Sequence, residues 1–157
     1  MEETFGLNRR WERDRFSGFP CPLHDERGSR PVNTKRKKII LYVEDEEILR
    51  KLVRHSFMGR DYQIVEAGDG AEAVKKAEQL RPDIILMDLQ LPRISGYDAI
   101  IAIKQNPALK DIPIIALTGF ALAGEEEKAR EAGCDHYITK PFDPMALVEI
   151  VDGYLAG

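Results

Sequence analysis

The feature that most constrains the fold is a run of four apolar residues, Ile84, Ile85, Leu86 and Met87, that ends in the carboxylate of Asp88. A strand that is buried on both faces of a parallel sheet has such a run without polar alternation. Asp88 would then lie at the carboxyl end of the strand, where open α/β sheets bind their ligands. Because Asp is also common in turns after strands, a simple loop cap explains this residue equally well when it is taken alone.

The rest of the chain after residue 37 alternates strand signals with helix signals. The predicted strands are rich in β-branched and apolar residues and lie at residues 38–43, 62–66, 84–87, 112–117 and 137–139. The predicted helices have apolar residues at helical spacing and lie at residues 46–57, 69–80, 95–106, 121–132 and 143–155. Five strands that alternate strictly with five helices predict a doubly wound parallel sheet. The pattern leaves the strand order open between 3-2-1-4-5 and 2-1-3-4-5.

Capping signals mark the ends of several of these helices. Asp69, with Glu72 three residues later, is typical of a capping box. Ser95 and Asp143 are predicted N-caps, and Gly133 is a predicted C-cap. These signals support the helix assignments independently of the apolar spacing.

Residues 1–37 differ from this body in composition and in charge. They show no sustained hydrophobic period, so we predict a mostly disordered N-terminal arm, followed by one domain at residues 38–157. The net charge of −4 divides into +4 for residues 1–38, with ten Lys/Arg against six Asp/Glu, and −8 for the remainder. An acidic body does not favour a DNA-binding surface.

Cysteine, histidine and hydropathy patterns exclude several classes of protein. No apolar run approaches the roughly 20 residues that span a bilayer, and no secretory signal begins the chain. Cys21 and Cys134 are far apart, which favours a reducing, cytoplasmic compartment over a disulfide scaffold. His24, His55 and His136 are equally scattered, so a metal site built from His and Cys is not expected.

Polar groups follow four of the predicted strands, at ends that share one edge of a parallel sheet. Glu44 and Asp45 follow the first strand, Asp88 the third, Thr118 the fourth and Lys140 the fifth. Three clustered carboxylates would raise at least one carboxyl pKa, and a hard cation such as Mg²⁺ would relieve their repulsion. The combination predicts phosphoryl transfer onto Asp88, with the cation and Lys140 neutralising phosphoryl oxygens and Thr118 donating a hydrogen bond to one.

These residues also carry a resemblance to a known family. The motifs that carry it are Val43-Glu44-Asp45-Glu46, Leu86-Met87-Asp88, Leu91-Pro92 with Ser95-Gly96, Ala116-Leu117-Thr118-Gly119 and Lys140-Pro141-Phe142. Over residues 37–157 the chain resembles the receiver domain of two-component response regulators. The resemblance implies a flavodoxin-like fold with strand order 2-1-3-4-5, an order for which a member of this family is a standard example.

The resemblance further implies roles for individual residues. Asp88 is the expected phosphoacceptor. Asp45 and Asp88 would bind Mg²⁺ directly, together with the backbone carbonyl of Gln90, and Glu44 would act through water. The family more often has Asp at the position of Glu44, so this chain departs from the commoner pattern there.

The same resemblance assigns the phosphoryl-binding pair and a switch. Thr118 and Lys140 match the pair, and the peptide bond between Lys140 and Pro141 is expected to be cis. Tyr137 matches the aromatic switch position. After phosphorylation, Thr118 would move toward the phosphoryl group and Tyr137 would turn inward, which alters the face formed by the fourth helix, fifth strand and fifth helix.

The expected function is therefore a stand-alone phosphorylatable module and not a turnover enzyme. Its expected partners are a histidine kinase or phosphotransfer protein and a downstream protein target, with no DNA-binding output domain and no membrane. The oligomeric state is left open, with a phosphorylation-dependent dimer among the alternatives.

Three other functions compete with this interpretation. A phosphatase of the haloacid-dehalogenase type shares an Asp nucleophile, Mg²⁺, Thr and Lys, but it needs a DxD motif after the first strand, which the acidic run from Glu44 does not provide. A flavin or nucleotide module needs a phosphate loop at the same place, where acidic residues would repel phosphate. A scaffold that no longer accepts phosphate would not need the complete set of site residues.

Overall fold

The structure of the protein is a computed structural model, and it describes residues 4–5, 7–14, 36–120 and 122–156. The chain divides into two units, Met1–Arg36 and Lys37–Gly157. In the first unit, the strands Thr4–Phe5 and Leu7–Asp14 pair in antiparallel fashion. Apart from residues 36 and 37, the other residues of the predicted arm lie outside the described ranges, so their disorder stays a prediction.

The second unit alternates strands with helices, as the hydrophobic pattern predicts. Strands β1 to β5 are Lys38–Val43, Tyr62–Ala67, Ile84–Asp88, Ile114–Thr118 and His136–Thr139. Helices α1 to α5 are Glu47–Ser56, Gly70–Leu80, Gly96–Gln105, Glu125–Ala132 and Pro144–Leu155. Within the described ranges, none of the helices has the length and apolar character that crossing a membrane requires.

The five strands form one parallel sheet in the order β2-β1-β3-β4-β5. This is the 2-1-3-4-5 order that the family resemblance implies, and it decides between the two orders that the sequence pattern leaves open. The register aligns the carboxyl ends of the strands, because Val43 pairs with Met87, Asp88 with Leu117, and Thr118 with Thr139. The groups that follow these residues therefore share one edge.

Strand β3 is buried on both faces, as its unbroken apolar run predicts. Ile85 and Met87 point into the core layer beneath α2, α3 and α4, and Ile84 and Leu86 point into the layer beneath α1 and α5. Helices on both faces are the arrangement that right-handed crossovers give. Asp88 therefore ends a strand that the core holds from both sides.

The predicted N-caps of three helices are present. Asp69, Ser95 and Asp143 each accept a hydrogen bond from a backbone N–H in the first turn of the helix that follows. The Glu72 carboxylate accepts from the N–H of Gly68 at 2.9 Å, one residue before the N-cap that a standard capping box contacts. The loop before α2 is thus held by two hydrogen bonds, one to the side chain of Asp69 and one to the side chain of Glu72.

Several element boundaries differ from the predictions by one or two residues, and the beginning of one helix differs by four. Helix α4 begins at Glu125 and not at residue 121, because Gly124 has φ of +86°, a left-handed conformation that a right-handed helix cannot include. Strand β4 begins after Pro113 and extends through Thr118. Only Ala129 is buried among the residues of α4, so this helix has little apolar anchoring, as its Ala-rich sequence indicates.

Candidate functional site

The carboxyl edge of the sheet brings together the polar groups that the sequence places at strand ends. Glu44 follows β1, Asp88 ends β3, Thr118 ends β4, and Lys140 follows β5. Because β1, β3, β4 and β5 are successive neighbours in the sheet, these residues lie in adjacent positions along one edge.

Three carboxylates form a cluster at this edge. Oxygen atoms of Glu44, Asp45 and Asp88 all lie within 4.8 Å of one another. The side chains of Glu44 and Asp88 are almost completely buried, with residue exposures of 1% and 2%, whereas Asp45 is exposed. Carboxylate oxygens that converge in this way are the donors that a hard divalent cation such as Mg²⁺ prefers. The residues present therefore fit the expected cation.

Lys140 pairs with the two buried carboxylates at once. Its Nζ atom lies 2.8 Å from Glu44 Oε1 and 3.2 Å from Asp88 Oδ2. Burial alone would lower the pKa of Lys140, but the hydrogen bond to Glu44 and the charges of Asp88 and Glu44 outweigh it and raise that pKa above its ordinary value. The ammonium group therefore keeps its charge at neutral pH.

Glu44 shows the effect that crowding of carboxylates predicts. Burial raises the pKa of Glu44 above its usual range, and the neighbouring charge of Asp88 raises it further, while the hydrogen bond from Lys140 acts in the opposite direction. The net direction of the pKa is upward, because the loss of hydration on burial outweighs the stabilisation that the hydrogen bond from Lys140 gives to the carboxylate. The expectation that at least one carboxyl pKa rises is confirmed.

Tyr42 is a contact of this cluster that the sequence reasoning missed. Its phenol is fully buried within β1, and its hydroxyl donates to Glu44 Oε1 at 3.4 Å. Burial, followed by the charges of Glu44 and Asp88, raises the pKa of Tyr42 far above its ordinary value, so the phenol stays a donor. The sequence does contain a signal for this contact, because Tyr42 lies inside an apolar strand and a buried hydroxyl usually requires a polar partner.

The loop after β3 holds Asp88 closely. The backbone N–H of Gln90 donates to Asp88 Oδ1 at 2.9 Å. The N–H of Gly96, the first residue of α3, donates to the carbonyl of Leu89 at 3.2 Å. A Cβ atom at Gly96 would lie only 2.2 Å from the carbonyl oxygen of Asp88, so only glycine permits this close approach.

Thr118 is buried, and the side chain of Gln90, in the loop after β3, forms a hydrogen bond with it. Gln90 Nε2 donates to Thr118 Oγ1 at 2.9 Å, and the N–H of Gly119 donates to Gln90 Oε1 at 2.9 Å. The sequence predicts a role for the backbone carbonyl of Gln90, but the contact between its side chain and Thr118 was not predicted. Nothing in the sequence fixes the direction of a glutamine side chain in a loop.

Tyr137 lies on β5, and its hydroxyl donates to the carbonyl of Phe120 at 3.4 Å. Its ring is partly buried and packs against the core layer beneath α2, α3 and α4. The structure thus places Tyr137 beside the loop that follows Thr118, and not among the carboxylates. The peptide bond between Lys140 and Pro141 is cis, as the resemblance implies.

The fold and the site together define a class: a doubly wound α/β protein that gathers acidic groups, a hydroxyl and an amine at the carboxyl edge of its sheet. The family model for the response regulator receiver domain matches residues 40–152. The chain belongs to the response regulator receiver domain family. It is a phosphorylatable receiver module of two-component signalling, and neither the family match nor the strand order supports the phosphatase alternative.

Relatives and solved structures agree with this assignment. The chain is 40% identical over 118 residues to the polar-differentiation response regulator DivK of Brucella anthropi, covering 75% of this chain and 96% of the relative. The receiver domain of sensor histidine kinase PA1611 from Pseudomonas aeruginosa is 35% identical with a TM-score of 0.70, over 76% of this chain and 98% of that domain. That domain was crystallised with magnesium coordinated in its active site cleft. Chemotaxis protein CheY4 of Vibrio cholerae is 28% identical with a TM-score of 0.70, over 75% of this chain and 98% of its own.

Proposed function

We propose that Asp88 is the phosphoacceptor of this receiver domain. The observation that carries the proposal is the position of its carboxylate, which is 2% exposed, lies 3.2 Å from the Lys140 ammonium and shares a cluster with Glu44 and Asp45. A carboxylate held beside a cation and other oxygen ligands is suited to attack a phosphoryl group and to hold the product. The expected donor is the phosphohistidine of a cytoplasmic histidine kinase or phosphotransfer protein.

The reaction transfers one phosphoryl group between two side chains. An oxygen of the Asp88 carboxylate forms a bond to phosphorus, and the bond between phosphorus and the donor's imidazole nitrogen breaks. The electron pair of that bond returns to the imidazole, which takes a proton from water, and Asp88 becomes an acyl phosphate. Lys140 offsets negative charge on the phosphoryl oxygens throughout, because its ammonium already contacts Asp88 Oδ2.

Glu44, Asp45 and Asp88, with the backbone carbonyl of Gln90, are the residues that would hold Mg²⁺. The support is the chemistry of the donor set, in which carboxylate oxygens converge within 4.8 Å. When bound, Mg²⁺ would offset the negative charge that these carboxylates share with the phosphoryl oxygens. Titration calorimetry tests this: Asp45→Asn should weaken Mg²⁺ binding by at least about 10-fold, since losing even a group that only orients a metal ligand costs about 10- to 100-fold. Equal Mg²⁺ affinities for Asp45→Asn and the unsubstituted protein would contradict the assignment.

Asp88 is modified and restored, so we do not regard the module as a turnover enzyme. After transfer, the Thr118 hydroxyl and the Lys140 ammonium would each contact a phosphoryl oxygen. Water then attacks phosphorus, releases inorganic phosphate and regenerates the carboxylate. This hydrolysis ends the signal and yields no other product.

The phosphorylated state would act through a surface formed by α4, β5 and α5. Movement of Thr118 toward the phosphoryl group would free space that the ring of Tyr137 can fill from its present position beside Phe120. The weak apolar anchoring of α4 supports its assignment as the mobile part of this surface. The expected occupant is a downstream protein target.

Labelling with acetyl phosphate and Mg²⁺ tests the phosphoacceptor role directly. The unsubstituted protein should gain one phosphoryl group by mass spectrometry, and Asp88→Asn should gain none. Asp111→Asn is the matched control, because Asp111 is exposed and precedes β4, at the opposite edge of the sheet. Full labelling of Asp88→Asn, or turnover of small phosphate esters by the unsubstituted protein, would contradict the proposal.

The switch role of Tyr137 has its own test. Tyr137→Ala should leave labelling of Asp88 intact, since the tyrosine contacts the Phe120 carbonyl and not the carboxylates. It should reduce the difference in target affinity between the phosphorylated and unphosphorylated forms. Unchanged target affinity in both states would remove Tyr137 from the switch.

A further inference from the structure

The side chain of Gln90 binds the end of the neighbouring strand in a defined orientation. The Gly119 N–H lies 2.9 Å from one terminal atom of the Gln90 carboxamide, and Thr118 Oγ1 lies 2.9 Å from the other. A backbone N–H can only donate, so the atom that faces Gly119 must be the carbonyl oxygen Oε1. The amide group Nε2 is therefore the one that donates to Thr118.

The hydroxyl of Thr118 has all its hydrogen-bonding positions filled within the protein. Its oxygen accepts from Gln90 Nε2 at 2.9 Å and from the Phe120 N–H at 3.1 Å. Its single proton has Gln90 Oε1 at 3.2 Å and the Phe120 carbonyl at 3.4 Å as acceptors, and the Tyr137 hydroxyl is a further hydrogen-bonding neighbour. A hydroxyl offers one donor and two acceptor positions. Thr118 can therefore donate to a phosphoryl oxygen only after it gives up one of these contacts.

We infer that the Gln90 carboxamide is an internal ligand that occupies the Thr118 hydroxyl and the Gly119 amide until a phosphoryl oxygen displaces it. Gln90 Oε1 lies within hydrogen-bond distance of both donors, and the Gln90 backbone N–H already contacts Asp88 Oδ1. Gln90 thus contacts the Asp88 carboxylate through its backbone and the two donors through its side chain. This inference rests on the proposed role of Asp88 and adds a residue that sets how readily the site switches.

The exchange is selective for charge. The carboxamide oxygen is a neutral acceptor, whereas a phosphoryl oxygen carries negative charge, and charge-assisted hydrogen bonds are roughly twice as strong as neutral ones. A phosphoryl oxygen on Asp88 can therefore take the donors from Gln90, while water or another neutral group gains nothing by doing so. The contact therefore holds Thr118 and Gly119 in place while Asp88 is unphosphorylated, and it does not prevent a phosphoryl oxygen from binding them after phosphorylation.

Hydrogen exchange of the Gly119 amide tests the contact in the unphosphorylated protein. Gly119 is exposed, and the acceptor of its N–H is Gln90 Oε1, so its protection depends on this side chain. Gln90→Met keeps the length of the side chain and removes both hydrogen bonds, and it should raise the exchange rate about 2- to 10-fold. Gln105→Met, at an exposed site at the end of α3, is the control and should leave this rate unchanged.

Binding of beryllofluoride with Mg²⁺ tests the competition, because beryllofluoride is an unreactive mimic of a phosphoryl group on a carboxylate. Gln90→Met should bind it about 2- to 10-fold more tightly than the unsubstituted protein and Gln105→Met do. Equal or weaker binding by Gln90→Met, with labelling of Asp88 intact, would overturn this inference alone. Absence of both labelling and beryllofluoride binding in the unsubstituted protein would overturn the phosphoacceptor role, and the inference with it.

A measurement without a substitution covers the case in which Gln90→Met does not fold. The side-chain amide resonances of Gln90 in the unsubstituted protein should shift when beryllofluoride binds, because Nε2 and Oε1 lose their present partners. The resonances of Gln105 provide the internal reference and should not move. Unshifted Gln90 resonances in the fully bound protein would overturn the displacement.

Discussion

Replacing Gly96 by alanine should damage the site and the stability of the fold together. Gly96 is the first residue of α3 and lies directly beneath the end of β3. An added Cβ would lie 2.2 Å from the carbonyl oxygen of Asp88 and 2.6 Å from the Cα of Leu89. Both are backbone atoms, so no side chain can turn aside, and the end of β3 with the loop that follows it must move.

The magnitude follows from two opposing effects. Overpacking of a filled region costs about 1–3 kcal/mol, and contact with backbone on two residues places Gly96→Ala at the upper end of that range. Alanine favours a helix over glycine by about 1 kcal/mol, which offsets part of the cost. The free energy of unfolding should therefore fall by about 2 kcal/mol. At an m value of about 2 kcal/mol/M, the midpoint in urea should fall by about 1 M.

Gly153→Ala is the matched control, because it makes the same chemical change where there is space. Gly153 lies in α5, and nothing is within 4 Å of the position of its Cβ. Helix propensity alone then predicts a gain of about 0.5–1 kcal/mol. Urea unfolding followed by circular dichroism measures both variants, and acetyl phosphate labelling reports on Asp88. A midpoint for Gly96→Ala equal to that of the unsubstituted protein, with unchanged labelling, would refute the reasoning.

Three other predictions concern the loops and helices around the site. Asp69→Ala removes the N-cap of α2 and should cost about 1 kcal/mol in urea unfolding. The hydrogen bond from the N–H of Glu72 and the charge of Arg93 lower the pKa of Asp69, so the ionised carboxylate stabilises the fold at any pH above the ordinary pKa of Asp. The stability advantage of the unsubstituted protein over Asp69→Asn should therefore disappear as pH falls below about 4. A constant advantage down to pH 2 would contradict this. Tyr97→Phe removes the hydrogen bond from the Tyr97 hydroxyl to Glu125, and amide exchange in α4 should rise about 2- to 10-fold while exchange in α5 stays unchanged. Equal exchange in α4 would show that the contact does not hold this helix.

The sequence predicts the sheet well because the evidence for it is local and repeated. Strands β1, β3 and β4 are short, largely apolar runs, and three of the helices begin at a side-chain cap, as Ser95 and Asp143 show. Strand order is different in kind, because it depends on which strands meet across the sheet, and the order 2-1-3-4-5 came from the family resemblance and not from periodicity. The predicted beginning of α4 was wrong for a local reason. The composition of residues 121–124 favours a helix, but Gly124 adopts a left-handed conformation.

The composition of the site could be predicted, but not its network of contacts. Parallel strands bring their carboxyl ends to one edge, so the approach of Glu44, Asp88 and Lys140 follows from sequence position alone. The contacts of the Gln90 side chain and of the Tyr42 hydroxyl were not predicted, because their directions depend on rotamers and neighbours that only the folded chain fixes. Sequence position alone therefore predicts which residues lie near the site, but not which hydrogen bonds their side chains make.

The parts of the site differ in how firmly the fold holds them, and this difference has a functional consequence. Asp88 ends a strand buried on both faces, and Gly96 packs against its backbone, so Asp88 cannot move without disturbing the core. Thr118 and Gly119 are held on the opposite side by hydrogen bonds to Gln90, which can be exchanged one for another. Helix α4 beyond them buries only Ala129 and depends on polar contacts. Under the proposed phosphoacceptor role, a charge added at Asp88 would therefore change hydrogen-bond partners on the β4 side and leave β3 in place, so that the effect of phosphorylation would reach α4.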